Sequence, residues 1–186
     1  MQMRPPLQIQ SMIKAMVDVV LPALDPHNKL AQEQARLIVG MLGMMAQQMP
    51  LQYRFDCDES ARLISFAREL QQFARGGSET GAAVAALAEQ TGNAKCGPEV
   101  STSAPGEIER QVRELRRLTG AVVTAVFHDG EPAARVQVGK SVLDMSKAQL
   151  LRDRSWVLAQ GWEPDPASVP PIEQLLASPT EPAVHR

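Results

Sequence analysis

The chain has few of the residues on which metal centres and many catalytic sites depend. Three histidines and two cysteines occur among its 186 residues, and aromatic residues make up 4% of the sequence. Cys57 and Cys96 form neither the paired CxxC elements of a zinc site nor the closely spaced set of a secreted disulfide scaffold. The absence of a Glu-x-x-His motif excludes the di-iron pattern of ferritin-like bundles. We therefore predict reduced thiols and no metal or other cofactor.

The sequence also lacks an excess of either charge and a long apolar run. Nineteen Lys and Arg against 21 Asp and Glu leave a net charge of -2, which gives no general attraction to nucleic acid or to an anionic bilayer. The longest apolar runs, such as 121–127, are far shorter than the about 20 residues that cross a membrane. Polar residues interrupt the N-terminal stretch, so no signal peptide is predicted. We expect a cytoplasmic protein that binds neither nucleic acid nor a membrane.

Apolar residues spaced three and four apart predict three helices in residues 1–75. The first runs from Ile9 and ends near Pro22. Asp25 and Pro26 provide an N-cap and a first-turn proline for the second helix, over 26–48. The third helix is predicted to begin at an acidic cluster and to end at two glycines; these residues are Asp56, Asp58, Glu59, Gly76 and Gly77.

Two more helices are predicted after a segment of different composition. Six of the twelve glycines fall in residues 76–106, which indicates a flexible connector with at most a short helix over 82–90. A stripe at helical spacing then predicts a helix that Gly130 can end; it comprises Ile108, Val112, Leu115, Thr119, Val122 and Val126. A final helix is expected over 144–160. β-branched residues and the Asp129-Gly130 turn signal leave a small hairpin over 121–138 as the alternative.

Together these patterns predict an all-α bundle of four to five helices. Residues 1–75 form a three-helix segment, 76–106 the connector, and 107–162 two further helices packed on the first three. Six prolines between 164 and 182 predict an extended tail over 163–186, with one helical turn at 172–176.

Residues 134–141 resemble a relaxed phosphate-binding loop, because Gly139, Lys140 and Ser141 follow a short β-branched stretch. The first glycine of that motif is replaced by Ala134, and the segments needed for a parallel sheet are missing. We therefore interpret the match as accidental and predict no nucleotide hydrolysis.

The best candidate for a binding surface is the second helix. Eight of the nine methionines lie in the first 49 residues, and flexible Met side chains suit an apolar pocket or a protein interface. Two glycines in the same helix suggest close approach of another backbone or a ligand. The predicted ligand or interface residues are Gly40, Met41, Gly43, Met44, Met45 and Phe66.

Arginines on the helix that begins near residue 107 are candidates for anion contacts. Arg110, Arg113 and Arg117 lie along one side of it and suit a phosphate group or an acidic partner. The alternative is a solvated helix face, because Glu107, Glu109 and Glu114 dilute the positive charge.

The first 75 residues resemble an uncharacterised family of small bacterial helical proteins. The resemblance rests on Val20-Leu-Pro-Ala-Leu24, on 30–38 and on the helix through Phe73. It implies genes beside acyl-CoA dehydrogenases and phosphotransferases of the aminoglycoside kinase type, and hence an enzyme of fatty acyl-CoA metabolism as a partner. The chain departs from the family in its connector and tail, and the resemblance assigns no functional residue.

No spacing in the chain brings a nucleophile, a base and an orienting group together, which favours a non-enzymatic protein. The first hypothesis is a helical accessory protein that forms a homo-oligomer or docks on a partner protein through the Met-rich surface of its second helix. The alternative is a binding module for an acyl or CoA-like ligand, with the Met side chains and Phe66 near the acyl chain and Arg113 or Arg117 near phosphate.

Overall fold

The computed structural model describes residues 4–95 and 103–176, and these ranges contain seven helices. The first, α1, is Pro5–Ala15 continued through a π-helical turn, Met16–Val20, and Leu21–Ala23. The others are α2 (Lys29–Gln48), α3 (Gln52–Phe73), α4 (Ser78–Asn93), α5 (Pro105–Asp129), α6 (Pro132–Trp156) and α7 (Ile172–Leu175). Short 3-10 turns lie at Leu158–Gln160 and Pro166–Ser168.

The all-α class is confirmed, but the predicted count of four to five helices is too low. One additional helix, α4, lies in the segment predicted as a connector, and the one-turn helix α7 lies in the predicted tail. The alternative hairpin over 121–138 is wrong, because α5 continues to Asp129 and α6 begins at Pro132. Within the described ranges the one β-type pairing is an isolated bridge between Gly76 and Gly130.

The chain divides into two compact units. Unit 1 comprises residues 1–52 and 153–172 and contains α1 and α2; unit 2 comprises 53–152 and 173–186 and contains α3 to α5 and most of α6. These boundaries differ from the four predicted segments, because residues far apart in sequence belong to the same unit. Cys96 and residues 177–186 of the predicted tail lie outside the described residues.

Unit 2 has an extensive apolar core. The predicted stripe of α5 is confirmed, since all six of its residues are buried. One core cluster contains Leu70 of α3, Leu87 of α4, Val122 of α5 and Val138 of α6. A continuous buried face over five turns outweighs the β propensity of residues 121–127, because burial of each large apolar side chain stabilises the helix by about 2 kcal/mol.

The predicted connector forms a packed helix, α4, because a residue distant in sequence caps its N-terminus. Gly77 has no side chain to cap this helix, and the Asp129 carboxylate accepts hydrogen bonds from the Glu79 N–H (2.9 Å) and the Thr80 N–H (3.1 Å). Leu87 then packs fully buried in the core. A cap supplied by a residue about fifty positions later cannot be recognised from local sequence.

Three predicted helix starts differ from the structure. The second helix begins at Lys29 with Asn28 as its N-cap, because Asp25 accepts instead from the His27 N–H in a tight turn. The third helix begins at Gln52, so the acidic cluster lies inside it. The last long helix, predicted over 144–160, begins at Pro132 and ends at Trp156.

Candidate functional site

Unit 1 contains an apolar groove of about 730 Å³. One wall is α2 and the other is the segment that follows α6. We call it the α2 groove; its lining residues are Glu33, Gln34, Arg36, Leu37, Ile38, Gly40, Met41, Met44, Ala159, Gln160 and Trp162. Three of the predicted binding residues therefore line one site: Gly40, Met41 and Met44.

Hydrogen bonds within unit 1 hold the second wall of the groove against α2. The Gln48 side-chain amide donates to the carbonyl of Trp156 at 2.9 Å, and the Gln160 amide lies 3.0 Å from the sulfur of Met44. Gly161 then reverses the chain with a φ of 73°, a left-handed conformation that favours glycine. Trp162 follows and stands at the rim, 74% exposed.

A bidentate ion pair fixes the end of this wall. The guanidinium of Arg154 donates to both carboxylate oxygens of Glu163 at 2.8 Å. The hydrogen bond from Arg154 lowers the pKa of Glu163, and the same contact raises the pKa of the arginine. The groove therefore has two defined walls without any bound partner.

The two glycines of α2 do not approach any backbone within the described chain. A methyl group added at Gly40 or Gly43 would meet nothing within 4 Å apart from the helix itself. The described residues therefore do not provide the predicted close approach. Gly40 borders the groove, whereas Gly43 does not line it.

Unit 1 has many exposed large apolar side chains and few fully buried ones. Its described residues contain four buried apolar side chains and twelve exposed large ones, whereas unit 2 contains seventeen buried and four exposed. Ten of the twelve belong to α1 and α2, and we call them the unit 1 apolar surface: Leu7, Met12, Val17, Val19, Val20, Leu30, Leu37, Ile38, Met41 and Met45.

A smaller polar opening of about 350 Å³ adjoins the α2 groove. It is lined by Pro26, Lys29, Gln32, Glu33 and Arg36, of which Glu33 and Arg36 also line the groove. Arg36 donates a long hydrogen bond of 3.4 Å to Gln32. The two basic side chains and one carboxylate give this end of the groove a mixed charge.

Two other predicted residues lie elsewhere. Met45 belongs to the unit 1 apolar surface but does not line the groove. Phe66 is in unit 2, where it packs against the core cluster of α3, α4, α5 and α6. The structure therefore does not assemble the predicted set of six residues into one site.

Two of the three predicted anion-contact arginines pair with carboxylates of their own helix. Arg113 pairs with Glu109, and Arg117 donates to both oxygens of Glu114 at 2.9 and 2.6 Å. That bond lowers the pKa of Glu114. Arg110 is one of the smaller influences that lower the pKa of Glu107, for which the Lys95 hydrogen bond is the largest. This arrangement is typical of a solvated helix face.

Sequence reasoning missed a buried ionic cluster in unit 2. Asp58, predicted at a helix start, is buried inside α3 and accepts from Arg62 at 2.8 Å and from Arg152 at 3.0 Å. The guanidinium of Arg152 also lies 4.5 Å above the ring of Phe55. Glu59 is buried and pairs with Arg116. These contacts hold α3 to α5 and α6.

Other reactive groups do not form a catalytic arrangement in the part of the chain that the structure describes. Burial raises the pKa of the half-buried Cys57 thiol, which makes its thiolate less available. The exposed His128 ring lies 3.0 Å from the Glu79 carboxylate at the surface. No three His, Cys, Asp or Glu side chains in the described ranges are placed to hold a metal ion. Residues 134–141, which resemble a phosphate-binding loop, are helical, so their N–H groups bond within α6.

Comparisons with family models, with curated proteins and with solved structures found no match to this chain. Within the described ranges, no helix has an apolar stretch long enough to span a bilayer.

Proposed function

We propose that this chain is a non-enzymatic helical interaction protein that binds another protein through the α2 groove and the unit 1 apolar surface. The observation that carries the proposal is the contrast between the two units. The described part of unit 1 leaves twelve large apolar side chains exposed and fully buries four apolar ones, which is the pattern of a surface that another protein covers.

The exposed area suits a protein interface. The ten side chains of the unit 1 apolar surface are each between 38% and 68% exposed. The five that belong to α2 recur at spacings of three, four and seven residues, so they share one face of that helix: Leu30, Leu37, Ile38, Met41 and Met45. Met side chains and the rim residue Trp162 are also residue types enriched at such interfaces.

The side chains that line the groove are suited to binding a partner rather than to catalysis. Its polar lining comprises one carboxylate, one guanidinium and two amides, from Glu33, Arg36, Gln34 and Gln160. Among the described lining residues there is no Ser, Cys, His or Lys, and no second ionisable group of the described chain pairs with the Glu33 carboxylate to activate it. Enzymes of fatty acyl-CoA metabolism are the partner class that the family resemblance adds.

Photo-crosslinking in the native host tests the proposal. A photoreactive phenylalanine analogue replaces Met41 in the groove, and the matched control carries it at Leu143, which is 62% exposed on α6. We expect position 41, but not position 143, to give a discrete product whose mass spectrum identifies a second polypeptide and its contact site. Capture of no polypeptide at position 41 contradicts the proposal.

Binding of an acyl ligand is a second candidate function, and the size of the groove favours it. A volume of about 730 Å³ falls within the range of small-molecule sites, and the adjoining opening has two basic side chains for an acidic head group. Those side chains are Lys29 and Arg36 rather than Arg113 and Arg117, which pair with carboxylates in unit 2.

Calorimetric titration with an acyl-CoA and with the free fatty acid tests this candidate. Ligand binding should release or absorb heat and raise the Tm, and Arg36→Ala should weaken both effects. Arg113→Ala is the matched control, because its guanidinium lies in the other unit. Absence of heat and of a Tm shift at high ligand excess would exclude acyl binding.

A further inference from the structure

We propose that the protein bound at the unit 1 apolar surface is a second copy of this chain. Two α1–α2 pairs then form a four-helix bundle, with the two α2 helices antiparallel and crossing near Gly40. This inference rests on the proposed function and names its partner.

The first argument is the incomplete core of unit 1. Helix α1 packs against α2, but a helix pair buries a single seam, and ten large apolar side chains of the two helices stay exposed. Association of two such pairs is the simplest way to cover them, because it builds the same core from both copies. The partner must then be as apolar as unit 1 itself.

The second argument is charge. Residues 5–48 contain three basic and three acidic side chains, so this surface has no net charge to select an acidic or a basic partner; the six are Lys14, Lys29, Arg36, Asp18, Asp25 and Glu33. Lys14 and Asp18 already pair with each other. Two copies of a neutral surface meet without net repulsion.

The distribution of charge along α2 selects the antiparallel orientation. All charged residues of this helix lie between Lys29 and Arg36, and residues 37–52 contain none. A parallel pair would place Lys29 and Arg36 beside the same cations of the other copy. An antiparallel pair that crosses at Gly40 places them beside the uncharged second half, and opposes the two helix dipoles favourably.

The third argument is the open backbone at the centre of α2. Gly40 borders the groove, and a methyl group there would meet nothing within the chain. Glycine in a helix interior costs about 1 kcal/mol relative to alanine. Because Gly40 also borders the groove, the open backbone at this point leaves room for a helix of the second copy to approach α2 closely.

Size-exclusion chromatography with light scattering on the full chain tests the inference. We expect a dimer whose fraction falls on dilution. Met41→Glu should weaken dimerisation by about a hundredfold, because it places an uncompensated carboxylate in an apolar interface. Leu143→Glu, on an exposed residue of similar size in unit 2, should leave the dimer intact.

Circular dichroism of both variants shows whether each remains helical, and a variant that loses helix content is replaced by Leu37→Glu, also on the groove. A wild-type monomer at every soluble concentration overturns the inference. So does a Met41→Glu protein that is helical and as dimeric as the wild type, or a larger assembly in place of the dimer.

Cysteine crosslinking tests the orientation. In a chain with Cys57 and Cys96 replaced by serine, Met41→Cys should form an intermolecular disulfide readily, because position 41 lies next to the proposed crossing point. Leu30→Cys should not, since the two copies of position 30 would lie about 30 Å apart along antiparallel helices, far beyond disulfide reach. Equal crosslinking at both positions overturns the antiparallel arrangement.

The photo-crosslinking experiment separates failure of this inference from failure of the proposed function. A product that joins two copies of this chain through position 41 supports both. A product with a different protein supports the proposed function and overturns the inference. Absence of any polypeptide product overturns both.

Discussion

At the scale of single residues, the charges inside unit 2 contribute more to the fold than the exposed ion pairs. Asp58 lies between the guanidinium groups of Arg62 and Arg152, and Arg152 is 1% exposed. Removal of one member of such a buried cluster leaves a buried charge less well compensated, which costs far more than loss of a surface pair.

Replacement of Arg152 by alanine should destabilise the protein by about 3 kcal/mol. The reason is that the buried Asp58 carboxylate loses its ion pair with Arg152 and the Phe55 ring loses its cation contact. Urea denaturation followed by circular dichroism measures the change. Arg113→Ala, which removes an exposed pair with Glu109, is the matched control and should leave the urea midpoint nearly unchanged. Equal effects of the two substitutions would contradict this account.

The cap that Asp129 provides for α4 should make stability depend on pH. Hydrogen bonds, first from the Thr80 side chain and then from the Glu79 and Thr80 N–H groups, hold the pKa of Asp129 below its usual range. Because the folded protein favours the ionised form, the carboxylate stabilises it above the ordinary aspartate pKa of about 3.9. That stabilisation is lost as the pH falls through the lower pKa of the folded state.

Asp129→Ala should therefore lower the urea midpoint at neutral pH. The difference from the wild type should stay constant down to about pH 4 and shrink at lower pH, where the wild-type carboxylate becomes protonated. Urea titrations over this range measure the difference. A difference that is the same at pH 7 and pH 2 would show that the carboxylate charge does not cap the helix.

At the scale of elements, glycines have different roles in the loops and in the helices. Gly76 lies where the loop after α3 meets the loop after α5, and a methyl group there would come within 2.6 Å of the Gly130 Cα and 2.8 Å of the Asp129 carbonyl oxygen. Gly120 lies inside α5 with nothing within 4 Å of the position of a Cβ. The first glycine permits a close approach, and the second only weakens its helix.

Gly120→Ala should stabilise the protein by about 1 kcal/mol, because alanine loses less backbone entropy than glycine in a helix. Gly76→Ala should destabilise it, since the backbone of a neighbouring loop has to move. Thermal denaturation of the two variants beside the wild type measures both shifts. Shifts of the same sign would contradict the distinction between the two positions.

Helix ends illustrate which elements local sequence can define. The buried residues of α3 include Leu63, Ile64 and Leu70, as their spacing predicts, but its start lies at Gln52 rather than at the acidic cluster. Acidic residues stabilise the first turn of a helix when their carboxylates lie beside the free N–H groups at its start. Asp58 and Glu59 instead pair with Arg152 of α6 and Arg116 of α5. Spacing therefore located the helix, and tertiary contacts changed its boundary.

At the scale of the whole molecule, apolar exposure is unevenly distributed between the two units. Unit 2 covers its apolar residues with its own helices, whereas unit 1 leaves most of them in contact with solvent. Trp162 stands at the rim of the groove and is 74% exposed, so its fluorescence reports on whatever covers this surface.

Acrylamide quenching of Trp162, in a chain in which Trp156 is replaced by phenylalanine, should decrease as the protein concentration increases. The reason is that a second copy shields the indole from the quencher. In Met41→Glu the quenching should be independent of concentration and as strong as in the dilute wild type. Concentration-independent quenching of the wild-type chain would show that self-association does not cover the groove.

The candidate site was predicted in part. Met clustering and helix glycines identified Gly40, Met41 and Met44, because an exposed apolar stripe on one helix is visible in its spacing. The second wall, with Gln160 and Trp162, was not foreseen, since it lies more than a hundred residues away in sequence. The sequence places Phe66 near the acyl chain, whereas in the structure this side chain packs against the core cluster of unit 2.

By itself, the sequence determined the all-α class, the buried stripe of α5 and the position of the exposed Met-rich helix. Each of these depends on periodicity, which is a local property of consecutive residues. Only the tertiary structure decided that α4 is a packed helix, that Asp58 and Arg152 form a buried pair, and that residues 159–162 complete a groove on α2. These features depend on contacts between residues distant in the chain, whose free energy outweighs local propensity and leaves no periodic signal.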